Sequence, residues 1–260
     1  MSDQETGQLS LIGQISPNTG DLLRASVEPN LMAKDLMIDS MGGDADASFA
    51  ISKMMKKRNL NIIVDGRCLS ACAQILFVSA KKKTVLKDSI IGVHEPFIYY
   101  QEAGQRKAVA YQDAEIVVTA AKDTQALDGI KKMKENFQDL YKEAGVSENM
   151  YAPYSHYLSN RKKIFGADFL NFNVFSPSCP AIRMWALNKR QLIEFGVKDI
   201  GDFWYPNTPH EQEQIVAKFK LPKGSIFFGE ADSLENLCKE SSSNALLRKF
   251  YDVVAIARRF

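Results

Sequence analysis

Three short segments of this chain carry residues able to do chemistry together: Gly42-Gly43, Ser70 within Cys68-Leu69-Ser70-Ala71-Cys72-Ala73, and His94. A serine becomes a useful nucleophile only when a base can take its proton and donors can hold the oxyanion that forms on the substrate. Ser70 opens a small, apolar stretch that reads as a helix, so the N–H of Ala71 lacks a partner within that helix and can meet an anion. Gly42-Gly43 opens another helix and has no side chains, which lets a substrate carbonyl approach the Gly43 N–H closely. His94 is the one histidine in the strand and helix core, and so the candidate general base. Singly, each feature has an ordinary explanation: a turn, an N-cap, a satisfied structural imidazole. In this order, each at the end of an apolar run, they support one another and point to acyl transfer.

The elements that must position these residues are legible in the hydropathy. Apolar runs at 36–38, 60–64 and 90–93 are short enough for buried strands, and the first two lead straight into helical patterns. Such alternation predicts an α/β fold with a parallel sheet and right-handed crossovers. Ligands of such sheets bind beyond the carboxyl ends of the strands. The spacing predicts a first strand over 9–15, a helix over 21–27, a strand over 35–39, and a helix presenting Ala47, Ala50, Ile51, Met54 and Met55 on one buried face. Residues 65–67 read as a turn, 70–80 as a buried helix, 84–86 and 89–93 as short strands, and 97–106 as a loop or flap. A long helical pattern follows over 108–144, with a break expected near Asp128-Gly129, and a second helix over 149–158. That helical region either carries oligomer contacts or covers the sheet. The aromatic stretch 165–175 reads as a packed loop, 184–187 as a strand, and Asn188 as the N-cap of a helix closed by Gly196. After strand-like spacing at 197–204, the sequence predicts a helix near 210–219, a hairpin-like 221–229 and a final helix over 243–259, with no chemistry visible there. The organisation is thus a core domain over 1–205, including the helical region at about 108–160, and a C-terminal extension over 206–260.

The totals narrow the function classes. A chain of 260 residues buries a sizeable core without staples. A formal net charge of +2 argues against nucleic acid, and the basic clusters 53–58 and 81–83 read as solvated surface. No run is long enough to cross a bilayer and the first ten residues are polar, so the expected location is cytoplasmic, or periplasmic if an N-terminal signal has been removed. Four cysteines do not make a disulfide framework for this length. Cys68 and Cys72, one helical turn apart, could be bridged or bind metal with distant partners; the favoured reading is two small residues packing a helix start. No zinc pattern is complete and no cofactor is expected.

The segments Asp39-Ser40-Met41-Gly42-Gly43, Gly66-Arg67-Cys68-Leu69-Ser70-Ala71-Cys72-Ala73 and Gly92-Val93-His94-Glu95-Pro96 resemble the Ser-x-Gly-Gly, Ser-x-Gly-Ala and His-Gln-Pro segments of Clp-type serine proteases. The Cys-x-Ser-Ala-Cys form is closer still to a bacterial branch of that ClpP/crotonase superfamily. The likeness covers 9–96 well, 194–199 more loosely, and nothing after about 206. It implies a spiral of repeated ββα units with a projecting helix, a trimer-based homo-oligomer, a peptide or protein substrate and an unfoldase or other protein partner. It also implies Ser70 as nucleophile, His94 as base, and Gly43 and Ala71 as oxyanion donors. The chain departs from the pattern where the family has its orienting aspartate: Arg183-Met184-Trp185 offers no carboxylate. Asp199 is the first candidate to replace it, with Asp202 and then Glu95 behind, because Glu95 adjoins His94 and consecutive strand residues face opposite ways. Without such a group, the site would be a slower Ser-His dyad or silent, since loss of the third member costs on the order of ten-thousand-fold in a serine protease. A serine-lysine dyad would need Lys122, which His94 makes unnecessary. A crotonase-like acyl-CoA enzyme shares the paired amides but gains nothing from Ser70 and His94. A catalytically inactive scaffold binding partners is the alternative from another class.

Overall fold

A computed structural model of the chain describes residues 2–3, 8–27 and 33–239. In chain order these form β1 (Ser2–Asp3), β2 (Gln8–Ile12), α1 (Thr19–Val27), β3 (Asp35–Ser40), α2 (Ala45–Arg58), β4 (Asn61–Leu69), a π-helix (Cys72–Phe77), β5 (Lys83–Val85), β6 (Ile90–Val93), β7 (Phe97–Glu102) and β8 (Gln105–Ala110). There follow α3 (Tyr111–Ala121), α4 (Thr124–Ala144), α5 (Ala152–Phe165), a 3-10 turn (Gly166–Leu170), β9 (Met184–Ala186), α6 (Lys189–Glu194), β10 (Ile200–Phe203), α7 (Pro209–Lys218), β11 (Ile226–Phe227) and α8 (Ala231–Glu235). The final helix expected over 243–259 lies outside the described residues.

The fold is α/β, as the strand and helix alternation requires. Strands β2, β3 and β4 run parallel, with Leu9 opposite Leu36 and Leu36 opposite Ile62, so the fully apolar inner positions stack across the sheet. Strand β4 then serves two partners. Its first half, Ile62 to Val64, pairs with β5, and its last residues, Arg67 to Leu69, pair with β6. The changeover falls at Gly66, whose φ of +131° and lack of a side chain let the strand kink; a Cβ there would sit 2.6 Å from Cγ of Asp39. Residues 65–67, expected to be a turn, are therefore the middle of one long strand. The kink is pinned by Arg67, whose Nε donates to Asp39 Oδ1 at 2.7 Å, and by Ser89 Oγ, which accepts the Gly66 N–H at 2.9 Å. Burial alone would raise the Asp39 pKa, but the Arg67 guanidinium and N–H outweigh it and hold the carboxyl below the usual range.

Helix α2 buries Ala47, Phe49, Ile51 and Met55, with Phe49 edge-on to Phe137 of α4, while Ala50, expected on the apolar face, is exposed. Asp44 caps it, accepting the Ala47 N–H at 2.8 Å. After β6 the chain leaves the main sheet. The segment read as a flap is a regular antiparallel hairpin, β7 with β8, and the long helical pattern is divided at Lys122, which takes a left-handed φ of +59°. Gly129, where the break was expected, lies inside α4. The 165–175 stretch is a packed loop built around Arg161, which is fully buried, donates to the carbonyls of Phe169, Asn171 and Val174, and lies over the Phe165 ring. Helix α6 starts with a complete Asn188/Gln191 capping box.

Residues 206–239 pack back on the core. Strand β11 adds in parallel to β9, so 221–229 is not a hairpin, and Cys238 is bonded to Cys179. Cys68 is bonded to Cys72. The Cys68–Cys72 bond replaces the favoured reading that these two only pack a helix start, and the two bonds together stand where four cysteines were not expected to form a framework. No helix among the described residues is long and apolar enough to cross a membrane.

Candidate active site

Ser70 stands where β4 ends and the π-helix begins, with its amide donating to the Gly92 carbonyl of β6 at 2.9 Å. Its φ is +56°, a left-handed conformation that non-glycine residues adopt at a cost. That conformation turns the hydroxyl away from the strand toward the end of β6, where His94 follows. Ser70 Oγ and His94 Nε2 are 2.8 Å apart. The other ring nitrogen, Nδ1, is 2.6 Å from the carbonyl oxygen of Glu95.

A carbonyl can only accept, so Nδ1 must carry the hydrogen. The tautomer is thereby fixed, and Nε2 presents its lone pair to the serine hydroxyl. Burial lowers the His94 pKa, partly offset by the bond to Glu95, so the imidazole is neutral and able to take a proton at neutral pH. Two contacts hold the ring plane: it stacks on Phe97 at a centroid distance of 5.4 Å and meets the edge of Tyr154 at 6.2 Å. Gln74 Nε2 donates to the His94 carbonyl at 2.8 Å, tying the histidine to the helix that begins beside Ser70.

Gly42-Gly43 and Ser70-Ala71 lie against each other. A Cβ on Gly42 would fall 2.4 Å from the Leu69 carbonyl oxygen and 2.9 Å from the Ala71 nitrogen, and one on Gly43 would fall 2.1 Å from the Ile15 carbonyl oxygen. Only glycine fits either place, and both have positive φ. Gly43, Ser70, Ala71 and His94 line one cavity of about 180 Å³, whose remaining wall is largely apolar, from Ala45, Ile75, Phe97, Met133 and Phe137. A hydroxyl, an imidazole and two helix-start segments thus face the same small space. Such an arrangement suits nucleophilic attack on an acyl group.

The candidate third members do not complete it as carboxylates. Asp199 faces a different cavity with Lys83, and its carbonyl accepts the Lys83 N–H at 3.0 Å; it is not the partner of His94. Asp202 is exposed on β10. Glu95 turns its side chain away from the imidazole into a neighbouring pocket, where Oε1 accepts the Gln112 N–H at 2.6 Å; β6 ends at Val93, so strand alternation is not the cause. Its contribution is the main-chain oxygen, which side-chain reasoning overlooks. Burial raises the Glu95 carboxyl to about 7, with the Gln112 amide acting the other way. Lys122 ends α3 and is absent from the lining of the cleft. Of residues 183–185, where the resemblance would put an acid, Trp185 is buried and donates Nε1–H to the Gly229 carbonyl at 2.9 Å. Gln74 carried no sequence signal beyond its position four residues after Ser70, on the same helix face.

Residues 22–145 match the family model described as Clp protease. The matched span is just under half of the chain and contains Gly43, Ser70, Ala71 and His94. Among solved structures, 285 chains match. One is a ClpP1 mutant from Listeria monocytogenes, similar at 17% identity over 76% of this chain and 92% of that one, with a TM-score of 0.43. A search of curated proteins finds no match. The Clp protease match ends at the C-terminus of α4, so α5 and everything after it, including β9 and the Cys179–Cys238 bond, lie beyond it.

Proposed function

We propose that this chain is a serine hydrolase acting on peptides through an acyl-enzyme. Support comes from the Ser70 Oγ to His94 Nε2 contact of 2.8 Å, made by a ring whose Nδ1–H is engaged by the Glu95 carbonyl. In the first half-reaction Ser70 Oγ attacks the substrate carbonyl carbon while its proton passes to Nε2. The oxyanion takes the N–H groups of Gly43 and Ala71. His94 then hands the proton to the departing amine, leaving the acyl group on Oγ. In the second half-reaction a water gives its proton to Nε2 and attacks the ester carbon; as the ester C–O bond breaks, Nε2 returns that proton to Ser70 Oγ, which frees the acid product and restores the site.

The Glu95 carbonyl does the orienting half of what a carboxylate would do, since it fixes tautomer and ring direction. It brings no full charge to balance the imidazolium, so turnover is slower than with a complete triad. A homo-oligomer built on trimers and an unfoldase partner belong to the same reading and rest on the resemblance to Clp proteases. Two disulfides favour an oxidising compartment, the periplasm, over the cytoplasm expected from the polar N-terminus.

The test is labelling by a fluorophosphonate probe. The wild type should be labelled on Ser70, with labelling lost in Ser70→Ala and reduced at least about a thousandfold in His94→Ala. A folded wild type that takes no label sinks the hydrolase and leaves the inactive scaffold.

A further inference from the structure

The Cys68–Cys72 bond encircles the proposed nucleophile. It joins the penultimate residue of β4 to the first residue of the π-helix, and Ser70 is the middle of the five residues it spans. Ala71, whose amide is the second proposed oxyanion donor, lies within the same ring. We propose that this disulfide is a positioning element of the active site, holding the Ser70 hydroxyl and the Ala71 N–H in fixed relation to His94. The proposal rests on the hydrolase reading above.

The need for such a device follows from the backbone. A left-handed serine is strained and persists only where its surroundings over-determine it. Main-chain bonds supply part of that constraint: the Ser70 amide to Gly92, and the Gln74 amide to the Ser70 carbonyl at 2.9 Å. They fix the ends of the turn but leave the strand and the helix free to pivot about residue 70. The helix that follows has the π form, a rare geometry found frequently at functional sites. A covalent tie from the strand side to the helix side removes that pivot.

On the strand side the tie is anchored in the sheet, because Cys68 is in register with Ile91 of β6 and Ser40 of β3. Strand β6 leads directly to His94. The disulfide therefore references the nucleophile to the same strand that carries the base. Both cysteines are fully buried. The second bond, Cys179–Cys238, closes a separation of 59 residues and neither cysteine lines the cleft, so it serves as an internal control.

The experiment measures fluorophosphonate labelling of the full chain at several probe concentrations, separating the maximal rate constant kinact from the binding constant KI. The Cys68→Ala/Cys72→Ala variant should lose about tenfold to a hundredfold in kinact, the scale of a misplacement near 1 Å, with KI within about twofold of wild type. Cys179→Ala/Cys238→Ala should label at the wild-type rate. Because removing a buried bond can prevent folding, Cys68→Val/Cys72→Ala, which refills the volume, is measured beside it and circular dichroism checks both. An unchanged kinact in a folded variant overturns the positioning role and leaves the hydrolase standing, as does a loss confined to KI. If neither variant folds, the bond is a folding staple and the positioning role falls. A wild type that takes no label overturns both readings together.

Discussion

The cleft that holds Ser70 and the pocket beside β5 each contain a titratable side chain pushed off its ordinary pKa, and they differ in what surrounds it. In the cleft at the end of β4 and β6, burial pushes the His94 imidazole down. In the larger cavity of about 300 Å³ between β5 and the end of α4, burial pushes Lys83 down to about 8, against the pull of Asp199. His94 has a hydroxyl on one nitrogen and a carbonyl on the other, with Gly43 and Ala71 lining the same cleft. Lys83 donates to the Ala80 carbonyl at 2.7 Å, and no serine, cysteine or histidine with a free hydrogen-bonding path to it lines that cavity beyond Ser79, which is itself paired with Ser52 and Ile75. A shifted pKa marks burial; convergence of groups with complementary roles marks chemistry.

That contrast can be broken or sharpened by substitution. The largest effect is expected at the cleft, from Gly43→Ala: its Cβ would land 2.1 Å from a carbonyl oxygen at a φ of +144°. We expect loss of about 3 kcal/mol of stability or more, seen in chemical denaturation, and loss of fluorophosphonate labelling. A variant as stable and as reactive as wild type would show that the close approach of Gly43 to the Ile15 backbone is not needed.

The next effect concerns the acid whose carbonyl orients the base. Glu95 is raised from 4.5 in the unfolded chain to about 7 in the fold. A carboxyl raised by folding binds more protons in the native state, so its favourable contribution is present below about pH 4.5 and is lost as pH rises to about 7. Over that window stability should fall by up to about 3 kcal/mol, and Glu95→Gln should remove this fall. Denaturation midpoints that are flat from pH 4.5 to 7 in the wild type would contradict it. Because the main-chain oxygen is retained, Glu95→Gln should keep its labelling.

The smallest effect belongs to the other cavity. Lys83→Met should leave labelling unchanged and raise stability at neutral pH, since the native state carries a buried cation there. In the wild type, stability should rise between about pH 8 and 10.5, where the native lysine has already shed its proton, and the variant should lack that rise. A labelling defect in Lys83→Met would mean that the two spaces are coupled.

Much of the cleft is legible in the sequence because its parts sit at strand ends, where a short apolar run stops at a residue of unusual type. Ser70, His94 and Gly42-Gly43 each announce themselves in that way. The group on Nδ1 does not, because a main-chain oxygen has no side-chain signature, whereas a carboxylate such as Asp199 does. Gly66 looked like a turn because its use is relational: the kink exists to let one strand pair with both β5 and β6 while Asp39 and Arg67 lock across it. The β7–β8 hairpin was missed because Gln105, Arg106 and Lys107 face solvent and carry no apolar alternation. The Cys68–Cys72 bond could be weighed from a spacing of four, but the Cys179–Cys238 pair, 59 residues apart, depends on the fold bringing 206–239 back to the core.

That long covalent link has a practical side. A protease that nicks the exposed connection at 207–208, ahead of α7, severs the polypeptide between Cys179 and Cys238. The two pieces remain one molecule, migrating as a single band on a gel until a thiol reagent parts them, so cleavage there is invisible without reduction.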